Sequence, residues 1–115
     1  MAITEAFSGS ATISTTQYDL PSNSTTVSAQ TADGIYQLFL DLNALTATES
    51  YQLKIYEKVQ SSGTQRVIDH TTISGVQSEP VYVTAALLLL HGWTFTLTKL
   101  QGTDRAIAWS IRQVA

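Results

Sequence analysis

The side chains with chemistry to offer are few and scattered. His70 and His91 are the only imidazoles, and there is no cysteine, which excludes a thiol nucleophile, a disulfide framework and a thiolate metal site. Asp69 and His70 are adjacent, a pairing that brings to mind a base oriented by a carboxylate. Neighbours on a strand point to opposite faces, so the pair reads as two polar residues in solvent. His91, before Gly92 and Trp93, reads as a loop histidine at a turn. Asp41, Glu49, Glu57 and Glu79 are dispersed, and "DLN" at Asp41 lacks the downstream ligands of a calcium loop. The six glycines are isolated, so no phosphate-cradling loop can be written. No catalytic residue, metal site or cofactor is expected, and the chain reads as a non-enzyme.

Two weaker motifs concern recognition. "KIYEK" sets Lys54, Tyr56 and Lys58 on one strand face, an interleaving of cations and an aromatic that suits single-stranded nucleic acid. It is one short stripe in a chain of net charge -3, so a solvated outer face and no nucleic-acid partner are expected. "NST" at Asn23 is a glycosylation sequon, read as chance because the start "MAITEAFSGSATIS" has no basic, long apolar leader. The longest purely apolar run, "AALLLL", is far short of a membrane span, so a soluble product with no membrane partner is expected.

The elements that must position these residues are strands. At 115 residues the chain is one domain by length, long enough to build a core without staples. Tyr36, Leu38, Leu40 and Leu42 alternate through "GIYQLFLDLN"; Tyr51, Leu53, Ile55 and Val59 do so through "YQLKIYEKV", with the turn signal "SSGT" after them and a second strand "QRVIDHTTI". "SEPVYVT" reads as a short strand opened by Pro80. Near the end, "WTFTLTKLQGTDRAIAWSIR" reads as a hairpin about Gly102. It sets Leu97 opposite Ile107, Phe95 opposite Trp109 and Trp93 opposite Ile111, at the expense of Lys99 opposite Arg105. Trp109 is assigned to the core. "ALTATES" and "TAALLLL" have room for a short helical turn, but no segment keeps helical periodicity over three turns. The fold expected is all-β, an antiparallel β-sandwich, Ig-like or related, of seven to eight strands.

Residues 1–31 hold Glu5 and Asp19 but no Lys or Arg, and are dense in Ser and Thr. They read as a polar N-terminal arm with edge strands, and residues 32–115 as the sandwich proper. The scattered apolar anchors of the arm, Ile3, Phe7, Ile13, Tyr18 and Leu20, are expected to meet a partner; the leucines of "AALLLL" cannot all face one sheet, so Leu87 and Leu89 are covered either by the domain's own arm, the favoured reading, or by another subunit as part of the same interface. Such an arm orders by adding strands to an exposed edge of its own or a neighbouring sandwich. Removal of residues 2–20 is then expected to leave a folded domain that no longer binds its partner.

Two resemblances add to this. "LDLNALTATESYQLKI", with Leu45 six residues before Tyr51, resembles the tyrosine corner of fibronectin type III and immunoglobulin-like domains, which implies a Tyr51 hydroxyl bonded back to upstream backbone. Taken whole, the low charge (13%), the polar arm, "YQLKIYEK" and "HGWTFTLTKLQGTDRAIAWSIR" resemble the small, cysteine-free, Thr-rich virion proteins of tailed bacteriophages, most of all head decoration or cement proteins. That resemblance implies a structural protein on the capsid surface, assembled in the host cytoplasm, bound to the major capsid protein or other virion subunits and itself a homo-oligomer, often a trimer. The alternatives are a carbohydrate-binding or host-adsorption module presenting Tyr36, Tyr56, Tyr82 or Trp93, and a tail or head-tail connector subunit.

Overall fold

Strict alternation of large apolar and polar residues produces strands with one dry face, and two such faces must meet. In the computed structural model, which describes residues 2–114, nine strands form two antiparallel sheets, with no helix among the described residues. The first sheet runs β1 (Ile3–Ile13), β9 (Arg105–Val114), β3 (Gly34–Asp41), then β6 (Val81–Val83) and β7 (Leu87–Leu89), which pair with opposite ends of β3 and share one strand position. The second runs β2 (Tyr18–Asp19), β8 (Thr94–Gln101), β4 (Ser50–Glu57), β5 (Arg66–Ser74). The antiparallel sandwich stands, with one strand more than expected because the segment 81–89 splits into two.

The strand order decides between kinds of sandwich. In an immunoglobulin fold the first and last strands lie in different sheets. Here β1 and β9 pair along their whole length, from Ile3 opposite Val114 to Ile13 opposite Arg105, and the orders 1-9-3-6/7 and 2-8-4-5 are those of a jelly roll.

The core is what the alternation marked. Tyr36, Leu38, Leu40 and Leu42 are buried from β3 and its exit, and Tyr51, Leu53 and Ile55 from β4. Trp93 has no exposed surface and is ringed by Tyr36 (ring centroids 4.3 Å apart), Phe95 (5.8 Å) and Phe7 (6.0 Å). Its Nε1 and the Tyr36 hydroxyl both donate to the Ala32 carbonyl, at 2.9 Å each. Trp109 is buried as expected, edge-on to Tyr18. Gly9 of β1 lies against it, where a Cβ would come within 2.7 Å of the indole. Val59 alone leaves the expected pattern, at 87% exposed in the turn after β4.

Two expectations are corrected. The segments 93–100 and 105–114 do not form a hairpin: β8 pairs with β2 and β4, β9 with β1 and β3. Phe95 and Leu97 therefore meet Ile107, Trp109 and Ile111 across the sandwich rather than along one face. The connection turns at Gly102 (φ +90°), where any Cβ would stand 2.6 Å from the Thr48 carbonyl. Lys99 and Arg105 never oppose each other; Lys99 pairs with Asp104, Arg105 with Glu49. Tyr51 is buried and its hydroxyl is held by backbone, but by the later crossing and not by the residues upstream. It donates to the Thr103 carbonyl at 3.0 Å and accepts from the Arg105 N–H at 2.8 Å.

The same crossing carries the one strongly perturbed carboxylate. Glu49, 1% exposed, accepts from Arg105 Nε (2.9 Å), from the Thr46 hydroxyl and N–H (2.6 Å for the latter) and from the Thr48 hydroxyl (2.8 Å). The Arg105 guanidinium first, then the Thr46 hydroxyl, hold its pKa down from 4.5 to about 2. A folded-state pKa below the unfolded one stabilises fully above the unfolded value and ceases to do so as pH falls through the folded one. The melting temperature of the native chain is therefore expected to exceed that of Glu49→Gln above pH 4.5, with the gap closing between 4.5 and about 2; a gap independent of pH is the contrary result in thermal melts.

Candidate interaction surface

The alternation that buries Tyr36, Leu38 and Leu40 sends Ile35, Gln37, Phe39 and Asp41 to the outer face of the first sheet. Pairing fixes what stands beside them. Ile3, Val114, Ile35 and Leu88 form one row across the sheet, Glu5, Arg112 and Gln37 the next, then Ser8, Ser110, Phe39 and Val83, then Ser10, Ala108, Asp41 and Val81. Three residues of the first row are exposed apolar side chains, Ile3 at 69%, Ile35 at 38% and Leu88 at 80%; Val81 and Val83 are exposed at 52% and 41%.

Phe39 stands at the middle of this face with the Arg112 guanidinium 3.8 Å above its ring, a cation–π contact. Arg112 Nε also donates to the Ser110 hydroxyl at 3.3 Å, and that hydroxyl donates to Glu5. The Ser110 bond above all, with Ser8 and then the Arg112 charge assisting, holds the Glu5 carboxyl below its usual range. Among the described residues, the charges near Phe39 other than Asp41 are thus engaged with one another through Ser110. On either side of the ring lies a shallow hollow, one of about 160 Å³ towards Ile3, Ile35 and Ala86, the other of about 240 Å³ towards Val81 and Ala108. A semi-apolar sheet face with pinned charges and shaped hollows can accept another protein surface.

Of the residues assigned to a partner, only Ile3 lies on this face. Ile13, Leu20 and Leu89 are buried at 0–2% in the chain's own core, because β1 is a full strand of the first sheet and β2 an edge of the second. Phe7 packs on Trp93 and Tyr18 on Trp109; Leu87, opposite Tyr36, leans on the same core. The arm thus adds strands to its own sandwich, and the boundary at residue 31 divides nothing; Met1 and Ala115, the ends of the two expected segments, lie outside the described residues. Missed were Ile35, Phe39, Val81, Val83, Leu88 and Arg112. The signal was present in "GIYQLFLDLN", where assigning Tyr36 and Leu38 inward leaves Ile35 and Phe39 outward.

The remaining candidates stay apart. Asp69 accepts from the His70 backbone N–H at 2.9 Å, not from the imidazole, and both side chains are exposed on β5. Glu57 accepts the Leu90 and His91 backbone N–H groups. Among the described residues no three His, Asp or Glu side chains are grouped to hold a metal ion. Asp19, wholly buried, is a structural hub: it accepts from Ser22, Ser28 and Thr94 and folds the loop 20–28 over the second sheet. Tyr36 and Trp93 are interior and so are no sugar platforms, whereas Tyr56, whose hydroxyl accepts from Gln17 at 2.6 Å, and Tyr82 are half-buried.

No family model matches the chain, and no curated protein matches it in sequence. Solved structures similar in fold include Eiger, a TNF from S. frugiperda, at 12% identity and TM-score 0.48 over 97% of this chain and 88% of that one. The C-terminal family 22 carbohydrate binding module of Clostridium thermocellum Xyn10B follows at 18% identity and TM-score 0.40, over 86% of this chain and 64% of that one. A pentameric capsid protein from metagenomic phage sequences matches at 10% identity and TM-score 0.34, over 97% of this chain and 63% of that one. At these identities no residue's role passes from them to this chain.

Proposed function

We propose that this chain is a structural, non-enzymatic subunit of a tailed-bacteriophage virion, a decoration or cement protein that seats on major capsid subunits at the head surface. The observation that carries the reading is the outer face of the first sheet. Ile3, Ile35, Phe39, Val81 and Val83 form a semi-apolar surface larger than isolated exposed residues make, on a domain whose ionisable groups are dispersed or engaged in structure. The jelly-roll order supports it more weakly, since that architecture serves viral capsids and lectins alike and a fold does not fix a function. A tail or connector subunit would use such a face equally well. The carbohydrate-binding reading loses two of its four platforms, because Tyr36 and Trp93 are spent on the core, and keeps the half-buried Tyr56 and Tyr82.

Cosedimentation with heads lacking this protein, prepared from the phage that encodes it, tests the proposal. The wild type is expected to bind to saturation. Phe39→Asp, which alters the outer face and leaves the core untouched, is expected to bind at least about tenfold more weakly while melting cooperatively, as loss of a central aromatic anchor does. Undiminished occupancy by Phe39→Asp, or no binding by the wild type, overturns the reading.

A further inference from the structure

A sandwich has edges as well as faces, and each edge is a row of unpaired N–H and C=O groups that another chain can join. Three of the four edges here are blunted. β2 pairs over two residues only, at Tyr18 and Asp19. The β6/β7 edge is broken into two three-residue strands, the first preceded by Pro80. β5 carries Arg66, Asp69 and His70, and its register with β4 is broken by a bulge at Ile55/Tyr56. Asp69, paired with Ile55 beside that bulge, is an exposed charge on the edge, of the kind that discourages a further strand.

β1 is different. It spans Ile3–Ile13, pairs only with β9, and contains no Lys, Arg or Pro. Its one charge, Glu5, lies before the bulge between Glu5 and Phe7 and is bonded to Ser110. Beyond the bulge, Phe7 to Ile13 is a regular, uncharged strand. In it Phe7, Gly9, Ala11 and Ile13 turn inward, while Ser8, Ser10 and Thr12 are exposed outward.

We infer that the β1 edge pairs with β1 of a second copy of this chain, antiparallel about a two-fold axis at Ser10, so that the first sheet continues from one copy into the other. That register sets Ser10 opposite Ser10, Gly9 opposite Ala11, Ser8 opposite Thr12 and Phe7 opposite Ile13 of the second copy. Every pair matches polar with polar or apolar with apolar on the same face. No two charges are brought together. An isologous contact needs a patch complementary to itself, and this strand is one. The Phe39 faces of the two copies then lie side by side on one surface. The pairing stands independently of any virion role, since it uses the edge and not the face.

The test is the mass of the full chain by sedimentation equilibrium, where the dimer is twice 12.5 kDa. Ser8 and Thr12 are exposed and bear on no core residue; Ser8 also touches Glu5, a contact that Lys and Glu at position 8 alter in opposite senses, so an effect common to the basic and acidic variants reads the pairing. S8K/T12K and S8E/T12E put like charges opposite each other twice per dimer and are expected to weaken association about tenfold each; S8E/T12K makes both pairs attractive and is expected to keep the dimer. Thermal melts in parallel report the fold of each variant, and the acidic and basic variants serve as each other's replacement should one melt early. A wild type that stays monomeric or forms a trimer overturns the inference. So does a folded like-charge variant that dimerises as tightly as the wild type, or an S8E/T12K chain that dissociates like the other two.

Discussion

Trp93→Ala is expected to destabilise the domain by about 3–5 kcal/mol, the range for truncating a fully buried aromatic. Trp93 has no exposed surface, and its indole is the common neighbour of Tyr36, Phe95 and Phe7, which come from both sheets and from the first strand. Its Nε1 bond to Ala32 also tethers the segment leading into β3. With net stabilities of about 5–15 kcal/mol usual for a domain, this one change removes much of the total. Chemical denaturation reads it directly, and a loss below about 1 kcal/mol would show the cluster to be incidental. The two tryptophans should part on replacement by Phe. Trp93→Phe loses a made hydrogen bond, whereas Trp109 Nε1 is buried without a protein acceptor, so Trp109→Phe is expected to be the milder change.

Deletion of residues 2–20 is expected to abolish cooperative folding, the reverse of what a detachable arm implies. The deletion strips β9 of a partner along its whole length and removes Ile13 and Leu20 from the core. It takes Phe7 off Trp93 and leaves Trp109 without Gly9 and Tyr18. It also deletes Asp19, the hub of the loop 20–28. Truncating a buried Ile or Leu alone costs about 2–5 kcal/mol, and two are lost here together with the backbone bonds of a strand. Circular dichroism of the shortened chain during heating decides it: a sharp, wild-type-like transition means that β1 is dispensable after all.

Charge and composition misled the reading of the N-terminus for a physical reason. A strand at the edge of a sandwich needs only one apolar face, and where it crosses a large indole that face must be small. Gly9 and Ala11 are therefore inward residues, although by type they look like the filler of a loop. The alternation of Ile3, Phe7 and Ile13 is also interrupted by the bulge between Glu5 and Phe7, which shifts the phase by one residue. Neither feature has a signature short of knowing what lies opposite.

The outer face of the first sheet was partly legible. Ile35 and Phe39 follow from the phase of Tyr36, Leu38 and Leu40, but their neighbours Val81, Val83 and Arg112 come from strands far away in sequence, and only pairing brings them together. Tyr51 shows the same limit from another side. Its burial and its backbone-bonded hydroxyl were readable, while its partners, Thr103 and Arg105, lie more than fifty residues downstream.

By itself the sequence determined that this chain is built of strands, and which face of each is dry. A side chain's turn inward or outward depends on a period of two along its own strand, and that information is local. It also determined that the core would need no staple, for the apolar residues are numerous enough to build one. Which dry face meets which was decided only by the tertiary structure. Phe95 and Leu97 against Ile107 and Trp109 satisfy the same alternation whether the strands lie side by side in one sheet or face each other across two. The choice fell to the turn at Gly102, the Glu49 and Tyr51 contacts that hold it, and the demand of β9 for β1 and β3 as neighbours. Those are long-range pairings, whose stabilisation exists only once the whole sandwich has closed.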